Sequence, residues 1–181
     1  SLLQKKLLPF IQEKYRIKKP VHGFVKGKSI LSNAREHLKK NHILNIDLKD
    51  FYGSINFGRV RGLFIAKPFN MGHKAASIVA QICCSDNSLP QGACTSPVIS
   101  NLISSNLDKL LVNFAKSTHT TYTRYADDMT FSSSKPFTQK VISYNINSNP
   151  IIEGVELSDL LKDLIISSGF NINYEKIRYE T

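Results

Sequence analysis

Hydrophobic and polar positions along the chain fall into short runs of distinct period. Leu3, Leu7, Leu8 and Ile11 recur at helical spacing and predict a basic amphipathic helix over 2–15. The Gly-bearing stretch VHGFVKGKS interrupts it, and a helical pattern resumes over 29–40. From 42 to 51 the period becomes two. Ile43, Asn45 and Asp47 face one way and Leu44, Ile46 and Leu48 the other, a half-buried strand ending at Asp50 with a turn near Gly53 and Ser54. Helices are expected over 56–66 and 71–84. After the loop SLPQGACTSP, Ser96 is the expected N-cap and Pro97 the start of a core helix over 97–115. Its stripe is Ile99, Ile103, Leu107, Leu110 and Phe114. Residues 120–133 read as strand–turn–strand. The polar segment 133–155 has no clear period and is read as an insertion. Ser158 caps a helix to about Ser168, Gly169 ends it, and FNINYEKIRY closes the chain as strand or hairpin.

Composition adds limits. A chain of 181 residues with 41% hydrophobic and 21% charged content can form one domain, or two lobes sharing a core. No apolar run approaches the ~20 residues needed to span a bilayer, and the opening residues lack a secretory cleavage pattern. A first residue of Ser rather than Met points to a fragment. Three cysteines, Cys83, Cys84 and Cys94, form neither a zinc spacing nor a disulfide framework, so burial in a reducing compartment and a cytoplasmic location are expected. The net charge is +10, and 16 of the 24 Lys/Arg lie in residues 1–74. That asymmetry fits either a polyanion partner with a separate place for cations, or a solvated basic surface.

The chemistry centres on TYTRYADDMTFSS. Thr121, Thr123, Tyr125 and Asp127 share one strand face; Tyr122, Arg124 and Ala126 share the other. At a tight turn Asp128 bends toward the first face. If the strand carrying Asp47 is a neighbour, Asp47, Asp127 and Asp128 converge, and such a cluster of hard oxygens suits two Mg²⁺ ions in phosphoryl transfer. The competing reading is a solvated Asp-Asp hairpin turn.

The motifs around these aspartates resemble those of reverse transcriptases. YADD (125–128) resembles the Tyr-x-Asp-Asp motif, LNIDLKDFYGSI (44–55) the first palm motif, LPQGACTSPVISNL (89–102) the Leu-Pro-Gln-Gly…Ser-Pro motif, and SSGFNINYEKIRY (167–179) the Gly-Phe-x-x-Asn-x-x-Lys motif. They occur in family order over roughly residues 20–180. Asn33-Ala34-Arg35-Glu36-His37 is similar to the Asn-Ala-x-x-His pattern of retron reverse transcriptases, which copy their own noncoding RNA into a branched RNA–DNA hybrid and are associated with phage defence.

The resemblance implies roles position by position. Asp47 and Asp127 would bridge two Mg²⁺ ions, with Asp128 in support and the Leu48 backbone lending a carbonyl. Tyr52 matches the aromatic gate against a 2′-hydroxyl, or is a core aromatic. Asp50 and Phe51 match the turn whose N–H groups meet the triphosphate. Gln91 contacts the incoming nucleotide or is a polar loop residue. Tyr125 touches the primer end or packs. Lys176 protonates the leaving pyrophosphate or is solvated, and His37 marks an RNA contact or a structural histidine.

The expected fold is α/β (α+β): a small antiparallel palm sheet backed by helices, with partial fingers at 1–22 and 55–92 and palm at 23–54 and 93–181. The thumb, primer grip and Val-Thr-Gly motif would lie beyond Thr181, and an upstream Lys/Arg hairpin before Ser1, so this piece is expected to be weakly active or inactive alone. The implied partners are an RNA template, a DNA primer or RNA–DNA hybrid, deoxynucleoside triphosphates, a retron noncoding RNA and an effector protein, with no membrane. The alternatives are a group II intron-type reverse transcriptase and a non-catalytic, palm-derived nucleic-acid-binding defence module. A nucleotide cyclase-like palm would leave the Leu-Pro-Gln-Gly and Asn-Ala-x-x-His patterns unexplained.

Overall fold

The alternating stretch after residue 41 forms the central strand of a sheet in the computed structural model, which describes residues 1–143 and 155–181. Residues 144–154 of the segment expected as an insertion therefore lie outside the described residues. The chain divides into two compact units, Ser1–Lys18 with Asp50–Ser105, and Lys19–Lys49 with Asn106–Thr181. By sequence the first carries nine Lys/Arg against three Asp/Glu and the second fifteen against eleven, so both are basic. The contrast between halves of the sequence does not become a contrast between units.

The first unit is helical: α1 (Leu2–Lys14), α3 (Phe57–Ile65), α4 (His73–Cys83) and α5 (Ser96–Ile103). A capping box at Ser1 and Gln4 starts α1, and the Gln4 Nε2 then donates to the Ile82 carbonyl at 2.8 Å. Of the expected α1 stripe only Ile11 is fully buried, while Leu3 is exposed. Val60 and Phe64 of α3 and Ala76, Ala80 and Cys83 of α4 supply the core of this unit. Burial pushes the Cys83 thiol up to about 11, which makes it unreactive.

Two expectations fail at the next helix. Ser96 is inside α5, not its cap, because its hydroxyl donates to the Pro90 carbonyl at 2.7 Å; Thr95 is the cap residue. The single helix expected over 97–115 is two, α5 and α6 (Ser105–Ser117), broken at Ser104. Serines dominate the junction, and the Ser100 hydroxyl donates to the Pro97 carbonyl, the local competition that loosens helices. Leu111, rather than Leu110 or Ile103, is buried in line with Leu107 and Phe114.

The second unit holds the sheet, with α2 (Ile30–Arg35), β1 (His42–Lys49), α6, β2 (Thr121–Tyr125), β3 (Asp128–Ser133), α7 (Asp159–Ser167) and β6 (Asn171–Glu180). Strand order is β2-β3-β1-β6, all antiparallel, and a two-stranded sheet of β4 (Ile142–Ser143) and β5 (Glu156–Leu157) stands apart. Leu44, Ile46, Leu48, Met129 and Phe131 form one buried face, and Phe114 of α6 meets Phe131 edge-on at 5.9 Å. The expected helix over 29–40 is only α2. Beyond it His37 turns inward, its Nδ1 bonded to Ser132 Oγ at 2.6 Å and its Nε2 to Thr123 Oγ1 at 2.7 Å. Of the two forms left open for the closing segment, β6 is a single strand, and Gly169 with φ +79° ends α7 as expected.

Candidate active site

The polar face of the sheet is built in rungs. One rung runs Tyr125, Asp128, Asp47, Asn173 across β2, β3, β1 and β6; the next runs Thr123, Thr130, Asn45, Arg178. Asp47 and Asp128 are thus direct cross-strand partners, an arrangement of like charges that destabilises a bare sheet. The turn between β2 and β3 falls one residue earlier than an Asp-Asp turn would. Ala126 opens it with φ +57°, Asp127 completes it, and Asp128 begins β3. Asp127 therefore stands in the turn, where it borders the same cleft as Tyr125. The Leu48 N–H donates to the Asp127 carbonyl at 3.1 Å and ties the turn to β1.

These carboxylates border a cleft of about 620 Å³ within the second unit, floored by Asn45, Asp47, Asp128 and Thr130. Ile30 and Asn33 of α2 line it, as do Lys176 and Arg178 of β6. Asp47 is nearly buried; its Oδ1 accepts from Asn173 Nδ2 at 2.8 Å and its Oδ2 faces Lys176 Nζ at 3.2 Å. Lys176 reaches it because β6 shifts register, with residues 174–177 set against Ile46 alone. The Asp128 carboxyl is pushed above its usual range by partial burial, then by the charges of Asp127 and Asp47, with Lys176 opposing.

Among the described residues no three His, Cys, Asp or Glu side chains are arranged to hold a metal ion. The expected convergence is therefore one of position, not of ligating geometry: Asp47 is turned to Asn173 and Lys176. The donor set fits a divalent cation all the same. It consists of hard anionic oxygens, and the strain on Asp128 from two neighbouring carboxylates is what a cation would relieve.

Tyr125 is half-buried, its ring 6.4 Å from that of Phe24, so packing accounts for one side of it. Leu48 is fully buried on the apolar face. Asp50, Phe51, Tyr52 and Gln91 belong to the first unit. Asp50 has φ +48°, and its carboxylate folds against Gly53, where a Cβ would collide with it. Phe51 is buried and Tyr52 half-buried, with ring centroids 5.3 Å apart. Gln91 is exposed, just before Gly92 with φ +82°.

His37 is a satisfied structural residue in this structure: both ring nitrogens are bonded inside, and burial lowers its pKa to about 4. Residues not singled out from the sequence also shape the site. Asn173 holds Asp47, and Arg124 with Asp108 forms a buried ion pair beneath the turn. Their signal was present, since Arg124 occupies an inward strand position and Asp108 sits beside Leu107 and Leu111 on the buried side of α6.

A family model described as reverse transcriptase (RNA-dependent DNA polymerase) matches residues 1–181. The chain is 41% identical to the Retron Ec86 reverse transcriptase of Escherichia coli over 154 residues, 85% of this chain and 43% of that protein. It is 36% identical to the Retron Mx65 reverse transcriptase of Myxococcus xanthus over 196 aligned residues, 98% of this chain and 42% of that protein. With the Retron Mx162 reverse transcriptase of the same organism the figures are 32%, 97% and 38%. The chain spans about two-fifths of the length of these curated relatives. No helix among the described residues is long and apolar enough to cross a membrane. With four motifs in order, an antiparallel sheet that sets Asp47 against Asp128, and a family match over its whole length, the chain belongs to the reverse transcriptase family.

Proposed function

We propose that this chain carries the nucleotidyl-transfer centre of an RNA-directed DNA polymerase of the retron type. The observation that carries the reading is the rung pairing Asp47 with Asp128, with Asp127 in the adjoining turn and all three bordering one cleft. Asp47 and Asp127 would hold two Mg²⁺ ions, Asp128 supporting them and Leu48 lending its carbonyl. Bound there, the ions supply charge neutralisation and in-line alignment of the attacking and leaving oxygens.

The chain's own groups supply the rest. Asn173 orients Asp47 through Oδ1. Lys176, beside the other oxygen, hands a proton to the leaving pyrophosphate. Tyr125 steadies the primer end, the backbone at Asp50 and Phe51 meets the triphosphate, Gln91 contacts the nucleotide, and Tyr52 excludes a 2′-hydroxyl. Residues 1–22 and 55–92 serve as fingers and residues 23–54 and 93–181 as palm. Basic residues of both units track the phosphates of an RNA template and its DNA primer or hybrid. A retron noncoding RNA as template, a branched RNA–DNA product, an effector protein as companion and the bacterial cytoplasm as location complete the reading; the isolated chain extends primers weakly or not at all.

The test is primer extension on RNA with deoxynucleotides, using the reading frame that contains this chain. Extension by the wild type and its loss in Asp127→Asn support the proposal; full extension by Asp127→Asn overturns it.

A further inference from the structure

Arg124 is the largest fully buried side chain among the described residues, and its ion-pair partner Asp108 is only 1% exposed. Its guanidinium donates to three oxygens of Asp108 and Ala126. Nε and Nη2 donate to the two Asp108 oxygens at 2.8 Å each, the bidentate geometry that suits a planar fork. Nη1 donates to the Ala126 carbonyl at 2.7 Å. Tyr122 adds a hydroxyl to Asp108 Oδ1 at 2.9 Å.

For packing alone the pair is a poor solution, since well-fitted apolar residues often replace a buried ion pair without loss. What they cannot supply is the bond to Ala126. That residue has φ +57°, a conformation unfavourable for any residue with a Cβ, so something must hold it there. Arg124 grips its carbonyl, and Gly23 lies so close that a Cβ at 23 would strike the Ala126 nitrogen. Arg124 is itself fixed through its backbone: its N–H donates to the Pro20 carbonyl and its carbonyl accepts from His22 N–H, each at 2.8 Å. The two residues after Ala126 are Asp127 and Asp128.

We infer that Arg124 and Asp108 are positioning residues, holding the turn of Ala126 and Asp127 in its strained form and thereby fixing the Asp127 and Asp128 carboxylates for a divalent cation. Neither touches substrate. The cation half of the inference rests on the function proposed above; the backbone half does not.

Two measurements on the folded chain separate them: hydrogen exchange over residues 126–128, and Mn²⁺ binding followed by the resonance of the free ion. The double variant Arg124→Met with Asp108→Leu keeps the buried volume and removes the grip. It is expected to stay folded, though less resistant to denaturant because the Tyr122 hydroxyl loses its acceptor, to exchange at least tenfold faster at the turn than the wild type, and to bind Mn²⁺ at least tenfold more weakly. Arg124→Lys keeps the charge without the fork and stands in if the double variant does not fold; a loss of about threefold or more in both readouts is expected. Unchanged turn exchange in a folded variant overturns the inference, as does Mn²⁺ affinity equal to wild type. If the wild type binds no Mn²⁺ while the variants still loosen the turn, the positioning stands and the cation-site reading fails.

Discussion

Along β1, the ladder toward β3 runs through six consecutive pairs from His42↔Ser133 to Asp47↔Asp128, whereas the ladder toward β6 slips between Asn45 and Asp47. The regular side obeys alternation, so it delivers apolar side chains to one face and Asp47 and Asp128 to the other. The irregular side delivers the groups that answer those charges, Asn173 in register and Lys176 from the bulge. Regular pairing sets positions; irregular pairing supplies chemistry that a period of two cannot place.

The largest effect should come from the polar face of the regular side. Asp47→Asn or Asp127→Asn is expected to lower primer extension by about a thousandfold or more, on the scale of metal-stabilised transition-state charge. The same variants should unfold in urea no earlier than wild type, because a like-charge contact is removed. A matching loss of stability would mean that the carboxylates serve the fold. On the opposite face, Phe131→Ala removes a ring packed on Phe114 and Tyr122, and should cost about 3–5 kcal/mol in equilibrium unfolding.

His37 probes the same side through pH. Its folded pKa of about 4 lies below the ordinary 6.5, so the unfolded chain binds the extra proton first. Its contribution is complete above about pH 6.5 and fades as pH falls toward 4. Wild type should lose on the order of 2–3 kcal/mol more than His37→Gln between pH 7 and 4. Parallel profiles for the two proteins would remove His37 as the cause. The smallest effect belongs to the irregular side. Lys176 is largely exposed, so its pairing with Asp47 is worth at most about 1 kcal/mol, and Lys176→Met should tighten Mn²⁺ binding by no more than about fivefold. Weaker binding in that variant would show that the ammonium organises the carboxylate rather than competing for it.

The sequence made the regular side legible because alternation is local. Leu44, Ile46 and Leu48 against Asn45 and Asp47 fix both faces of a strand within five residues. The bulge in β6 was not legible, since NINYEKIRY contains no Gly or Pro to mark it and the register is set by β1 from far along the chain. The break at Ser104 escaped because the apolar positions continue across it. The turn lies one residue before the Asp-Asp pair for a related reason: the conformation of Ala126 accompanies a grip from Arg124 and a close approach of Gly23, neither of which a run of side chains reveals. Buried charge is legible in the sequence as well, because Arg124 and Asp108 each stand at an inward position where a lone charge would be untenable.

The left-handed backbone at Ala126 also sets which mutations the second position of YADD can absorb. Its side chain is 8% exposed and its main chain is pressed by Gly23, so the position is filtered twice, by volume and by handedness. Glycine passes both filters and a β-branched residue fails both. In a library randomised at 23 and 126 together, survivors should cluster at the smallest side chains at both sites. The x of that tetrad, free by name, would then be among the least evolvable letters in the hairpin.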